Sequence, residues 1–384
     1  MIYCLAIVVF ALLIFTYFGV SRDLMHPSVL TVGASFISIL AALYNVNRWG
    51  IKYHYNTMII LVSALVCISV TGIISARSKM GKRKHSMTDE DEATCENHPF
   101  FVNNIVFWIV IAFNLLVLVW YYYIILKTTG GGAITEMIAS FRMIHSYGVS
   151  TADSVSMPAV LNQCIKFNKV LAYIFMMIFL NNAVGYKVKT WKYLLPPVLF
   201  CIQTLLGSDR IYIVMLAGAS VIMAYLLWHR KNGWNSNISG KYVKIGAKAL
   251  VILLIFFFAV RNFVGHSSSS DSKGPMEYLT QYVGGSIQLL DMYVQDPLVE
   301  ADAGWGEETF SSIYKTIVEI QGGTAEKRHM EFRSSNGIII GNIYTAVRKY
   351  YHDFGYWGVV ILCSIFGLFF GLIYKRLQQQ RVKN

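Results

Sequence analysis

The stretch GNIYTAVRKYYHDFGYWGVVILCSIFGLFFG, residues 341–371, changes character halfway along. Its first half is polar and aromatic, with Ile343, Val347 and Tyr351 on one face of a helical pattern. Asn342 lies about one turn from Thr345, and Arg348 about one turn from His352. Gly355, just after Phe354, is placed to end that helix. From Trp357 an uncharged apolar run continues to Tyr374, long enough to cross roughly 30 Å of hydrocarbon. A helix outside the membrane thus leads, through one glycine, into a membrane span.

Similar runs recur along the chain, at 2–20, 29–45, 55–75, 101–126, 161–184, 190–206, 211–228 and 245–260. The composition agrees: 55% of the 384 residues are hydrophobic, mean hydropathy is +0.49, and 14% are charged. An ordinary soluble domain carries about 25% charged residues. The expected fold is an all-α polytopic integral membrane protein with about nine transmembrane helices. Residues 1–261 hold the first eight spans with short loops, 262–356 form a large and mostly helical external loop, and 357–384 hold the last span and a basic tail. Pro196 and Pro197 interrupt the sixth run and are expected to kink it. The first run lacks a preceding basic region and a clean small-residue cleavage site, so it reads as a retained helix.

Basic residues set the orientation. Arg77, Lys79, Lys82, Arg83 and Lys84 follow the third run; Lys187 and Lys189 the fifth; Arg230, Lys231, Lys241 and Lys244 the seventh; Lys375, Arg376, Arg381 and Lys383 the last. With nine spans all four clusters share one side, which the positive-inside rule makes cytoplasmic. The N-terminus is then outside and the C-terminus inside. The external loop 262–356 carries seven Lys and Arg against twelve Asp and Glu. The net charge of +12 therefore reports orientation rather than nucleic-acid binding.

In that loop, 276–294 has apolar residues near helical spacing, broken by Gly284 and Gly285. Residues 267–275 read as a flexible connector. A second external segment, 127–159, begins TTGGGA and continues ITEMIASFRMIHSYG, which suits an amphipathic helix lying at the interface.

Ionisable groups near the outer boundary are the candidates for chemistry. In LLGSDRIYIVML, residues 205–216, Asp209 and Arg210 occupy a tight turn between two apolar runs. Such charges keep a helix junction in water, and Asp209 can cap the next helix. The alternative is that Arg210 binds phosphate, because a guanidinium fork matches its oxygens and stays charged. Arg261, and Arg348 with Lys349, fall at the same expected level. Together they are either lipid-headgroup anchors or a site for a lipid-linked diphosphate. Asp353 and His352 are the acid/base candidates, with Glu307 and Glu308 as further bases. His266 and His329 read as inert loop histidines. Tyr278, Tyr282, Tyr344, Tyr350 and Tyr351 suit stacking on sugar rings or an interfacial aromatic belt.

No P-loop, dinucleotide fingerprint, HExxH or GxSxG is present, and the external loop has no Asp-x-Asp pair. The six cysteines show no metal-ligand spacing or disulfide framework. No cofactor and no metal is expected, and any chemistry must draw on an already activated substrate.

The chain resembles the bacterial O-antigen and capsular polysaccharide repeat-unit polymerases. The resemblance rests on DLMHPSVL at 23–30, LLGSDRIYIVML at 205–216, YLTQYVGGSIQLLDMYV at 278–294 and, most specifically, the opening stretch with its NIYTAVRKYYHDFG segment. Relatives often carry more than nine spans. The resemblance implies transfer of a growing glycan from undecaprenyl diphosphate to a hydroxyl of an incoming lipid-linked repeat unit, with release of undecaprenyl diphosphate. Arg210, Arg261 and Arg348 would then stabilise the leaving diphosphate. Asp353 or His352 would activate the acceptor hydroxyl, Asn342 and Tyr344 would hydrogen-bond sugar, and Tyr278 and Tyr282 would contact it. A chain-length regulator and a flippase are implied as partners. An O-antigen ligase and a lipid-linked oligosaccharide flippase are the competing readings; a flippase predicts more spans, repeat symmetry and midplane charges.

Overall fold

The structure is a computed structural model of the chain and describes residues 1–78, 99–147, 157–234, 248, 255, 274–297, 305–321 and 330–379. In chain order its α-helices are α1 (Ile2–Gly19), α2 (Pro27–Tyr44), the one-turn α3 (Val46–Trp49), α4 (Tyr55–Arg77), α5 (Asn104–Thr129), α6 (Ile134–Tyr147) and α7 (Ala159–Leu180). They continue with α8 (Leu195–Leu206), α9 (Ile211–Asn232), α10 (Pro275–Gln295), α11 (Ser311–Ile320) and α12 (Ala346–Gln379). A two-stranded hairpin, β1 (Arg333–Ser335) and β2 (Ile338–Gly341), precedes α12.

Among the described residues seven helices are long and apolar enough to cross a membrane: α1, α2, α4, α5, α7, α9 and α12. They mark a membrane protein. The run at 190–206 forms a shorter apolar helix, Trp191–Leu206. Its two prolines do not kink it as expected; they sit in the first turn of α8, after a 3₁₀ turn at Trp191–Leu194. Proline is tolerated there because the first-turn N–H groups have no intrahelical partner to lose. The run at 245–260 lies outside the described residues apart from Lys248 and Ile255.

The chain divides into two compact units, Met1–Arg83 with Lys273–Gln379, and Lys84–Ser272 with Gln380–Asn384. In the first, α1, α2, α4 and α12 share a core that includes Leu5, Val9, Ile39, Leu61, Leu65 and Val359. Small residues let α12 approach α4: a side chain at Gly367 would lie 2.7 Å from the Ile68 carbonyl oxygen. At one end of this bundle Tyr374 and Gln378 donate to Asp23 at 2.8 and 2.9 Å, and Arg77 donates to the Gly19 carbonyl at 3.3 Å. At the other end the start of α10 and the β-hairpin dock on the α2–α4 connection. Ser335 donates to the Trp49 carbonyl at 2.7 Å, Asn336 donates to the Arg48 carbonyl at 3.0 Å, and Arg48 pairs with Glu277 at 2.8 Å.

Gly284 does not break α10, which runs unbroken from Pro275 to Gln295. The glycine marks where α10 crosses α2. A methyl group at Gly284 would stand 2.5 Å from the Ala42 nitrogen and 2.7 Å from the Ala41 carbonyl carbon, so only hydrogen fits. The hairpin turns on Asn336 and Gly337, both at positive φ. It was not foreseen within a mostly helical loop.

In the second unit, α5, α7, α8 and α9 alternate in direction. One end gathers Asn182, which donates to the Phe100 carbonyl at 2.8 Å, and Lys231, which donates to the Gly185 carbonyl. The opposite end gathers the 207–210 turn with Tyr121 of α5. Helix α6 follows the glycine turn, with Gly130, Gly131 and Gly132 all at positive φ. Its Met137, Ile138 and Phe141 are buried against α5 and α8 rather than turned outward. The apolar face expected at the membrane interface is thus used for protein packing.

Candidate functional site

Arg348 sits in the first turn of α12 and is almost fully buried. One terminal nitrogen pairs with Glu308, and the other pairs with Glu331 at 3.0 Å. Its guanidinium carbon lies 4.3 Å from the centroid of the Tyr293 ring and 4.9 Å from that of Tyr344. Two carboxylates thus satisfy the charge, while two aromatic faces hold the plane of the fork. Arg333 adds a second buried guanidinium, bonded to the carbonyls of Met292 and Asp296 at 2.8 and 2.6 Å and to Glu331 at 3.3 Å.

Four separate segments deliver this cluster. Helix α10 brings Tyr293 in its last turn, the segment before α11 brings Glu308, the approach to β1 brings Glu331, and α12 brings Arg348 and His352. The Tyr293 hydroxyl meets Nδ1 of His352, whose Nε2 lies 3.8 Å from Glu308. Tyr344 donates to Glu331 at 2.9 Å. Burial pushes the Tyr344 phenol well above its ordinary range, and the Glu331 charge and hydrogen bond add to the shift. The Tyr293 phenol is likewise raised, first by burial; Arg348 opposes the shift.

Asp353 is placed differently. Its carboxylate accepts the backbone N–H of Thr309 at 2.6 Å and of Glu308 at 3.3 Å. It holds the segment that carries Glu308. Trp305 meets Phe354 edge to face and Phe310 meets it at a tilt, at the same junction. Gly355 then breaks the helix at φ 61°, ψ −158°, a conformation essentially confined to glycine. The glycine stop read from the sequence lies where expected, although the helix resumes directly beyond it.

Asn342 donates to the Met330 carbonyl at 3.4 Å, which places it beside Glu331. Tyr350 and Tyr351 pack against the apolar core of the first unit. Tyr278 and Tyr282 contact each other, hydroxyl to hydroxyl at 3.3 Å, near the other end of α10. Eleven residues separate Tyr282 from Tyr293, about 16 Å along a helix, so this pair stands apart from the Arg348 cluster. Arg210 belongs to the second unit. It is buried and occupies the N-cap position of α9, directly after Asp209. The turn itself is as tight as expected, with Ser208 at φ 64°. Arg261, His266 and His329 lie outside the described residues.

Sequence reasoning did not single out Tyr293, Glu331 or Arg333. Nor did it find Asp291, which is buried on α10 and bonded at 3.0 Å both to the backbone N–H and to Nδ1 of His54. A buried Asp on an apolar helical face was the available signal for that one. Among the described residues no cluster of His, Cys, Asp and Glu suits a metal ion.

Neither protein-family models, nor curated proteins, nor solved structures gave a match to this chain.

Proposed function

We propose that this chain is a membrane glycosyltransferase that polymerises undecaprenyl-diphosphate-linked oligosaccharide repeat units into O-antigen or capsular polysaccharide. The reaction takes place at the outer face of the bacterial cytoplasmic membrane. The N-terminus is outside and the C-terminus is cytoplasmic. The observation that carries the reading is the buried Arg348, held between Glu308 and Glu331 beside His352, at the bundle end opposite the Asp23–Tyr374 contact.

A site of this kind suits a reaction whose leaving group is a lipid diphosphate. A hydroxyl of the acceptor sugar attacks the anomeric carbon of the donor. The bond from that carbon to the diphosphate oxygen breaks, and undecaprenyl diphosphate departs with the electron pair. Charge growing on the diphosphate calls for fixed cations, and Arg348 supplies one when Glu308 yields its place on the guanidinium. His352 takes the proton from the attacking hydroxyl, and Tyr293 orients its ring through Nδ1. Asp353 positions Glu308 instead of acting as the base. Tyr344 and Asn342, near Glu331, provide hydrogen bonds for sugar.

Deleting the gene tests the proposal. Single repeat units should accumulate on undecaprenyl diphosphate, and long chains should disappear. Long chains persisting on undecaprenyl diphosphate without transfer to their final acceptor would mean a ligase. Single units trapped on the cytoplasmic side would mean a flippase. Unchanged long chains would end the proposal.

A further inference from the structure

Helix α11 presents a face that the fold leaves uncovered. Ile313, Ile317 and Ile320 fall at i, i+4 and i+7, on one stripe, and are 60, 48 and 81% exposed. Tyr314 and Val318 share an adjoining face and are half-buried. Ser312 and Thr316 lie on the remaining side and are exposed. The helix therefore half-buries one side, leaves a polar side exposed and leaves an isoleucine stripe open. Trp305, just before it, is 80% exposed.

The level at which this stripe lies identifies its occupant. Residues 305–310 are fastened to the Phe354–Gly355 junction by the ring contacts of Trp305 and Phe310 and by the amide bonds to Asp353. Immediately beyond Gly355 the long apolar part of α12 begins with Tyr356 and Trp357, both exposed. An exposed aromatic pair at the head of an apolar helix marks a membrane–water boundary. Helix α11 starts at that boundary and is about 15 Å long. A short amphipathic helix tethered there can sink its apolar stripe among lipid headgroups and the first methylenes of the chains.

We infer that α11 is an interfacial helix whose Ile313–Ile317–Ile320 stripe rests in the bilayer leaflet at the Tyr356–Trp357 level, with Trp305 as an anchor beside it. The assignment goes beyond the polymerase reading and stands whatever reaction the chain performs. It places Glu308, three residues before the helix, at the membrane surface, where a lipid-linked molecule would arrive.

Electron paramagnetic resonance tests it on the full chain in phosphatidylethanolamine–phosphatidylglycerol vesicles. Nitroxides are attached to Ile313→Cys, Ile317→Cys, Ser312→Cys or Thr316→Cys in a background lacking the six native cysteines. Labels at 313 and 317 should relax with oxygen and resist a water-soluble nickel chelate, and labels at 312 and 316 should do the reverse. Equal access of the nickel chelate to all four positions overturns the inference, because the stripe is then in water. Shielding of 317 from both agents also overturns it, because protein then covers the stripe. A benzophenone amino acid at 317 in the chain with its own cysteines gives an independent reading if the cysteine-free background fails to fold. Phospholipid adducts support the inference, and adducts confined to protein overturn it.

Discussion

The guanidinium of Arg348 lies 4.3 Å from the ring centroid of Tyr293 while its two terminal nitrogens reach Glu308 and Glu331. Planarity and a two-armed fork are both in use, and lysine offers neither. Arg348→Lys should therefore lose most polymerisation while still inserting in the membrane. Arg348→Met takes away the shared partner of Glu308 and Glu331, of which Glu331 keeps Arg333 and Tyr344, and should lower stability by about 1–3 kcal/mol. Glycan length profiles and thermal unfolding in detergent measure the two effects. Full polymerisation by Arg348→Lys would remove Arg348 from the diphosphate site.

His352 and Asp353 are neighbours in sequence with different surroundings, and substitution should separate them. Asp353 accepts two backbone N–H groups, a role that asparagine partly keeps. Asp353→Asn should retain polymerisation within about tenfold, whereas His352→Gln should lose roughly 100-fold or more, the usual scale for a general base. The reverse order in a reconstituted assay would return the base to Asp353.

Tyr53 lies just before α4 and is buried, and its hydroxyl has no hydrogen-bond partner among the described residues. Burial, and then the nearby Asp291 charge, push its phenol well above the ordinary value of 10.0. The unfolded chain loses that proton at lower pH than the folded one. The Tyr53 contribution to stability is therefore complete below pH 10 and falls as pH rises beyond it. Tyr53→Phe removes both the unsatisfied hydroxyl and the titration. It should raise stability by about 1 kcal/mol at neutral pH and by more at pH 11, as read from unfolding midpoints. A lower midpoint for the variant at pH 11 would contradict this account.

The spans were legible because each is a long apolar run, and hydropathy alone brings α1, α2, α4, α5, α7, α9 and α12 out of the sequence. Gly355 was legible because it stands between a polar helix and an apolar one. The Arg348 cluster was legible only on α12, where Arg348 and His352 lie one turn apart. Glu308, Glu331 and Tyr293 come from other segments, and no spacing in the chain encodes their meeting. Gly284 shows the same limit from the other direction. In sequence it reads as a break, and only the close approach of α2 reveals why a helix carries it there.

That approach makes Gly284 sensitive to one methyl group. The atoms it would strike, the Ala42 nitrogen and the Ala41 carbonyl carbon, are backbone and cannot swing aside. Gly284→Ala should force α10 away from α2 and cost about 1–3 kcal/mol, the usual penalty for overpacking. Gly218→Ala, with nothing within 4 Å of the added carbon, should be neutral or stabilising. Comparing their unfolding midpoints separates crowding from helix propensity.

Gly355 carries a different constraint, because no atom lies within 4 Å of an added Cβ. The obstacle is the backbone itself, at φ 61° and ψ −158°. Any side chain there brings strain of about 1–3 kcal/mol, or straightens α12 into a continuous helix. Straightening would redirect residues 346–354, which carry Arg348 and His352, relative to the apolar part of the helix. Gly355→Ala should thus reduce polymerisation more than a strain-sized loss of stability explains, because the arm that carries Arg348 and His352 changes direction. Distances between spin labels at 346 and 365 would report the new angle. An unchanged distance together with wild-type chain length would show that the arm tolerates alanine without moving.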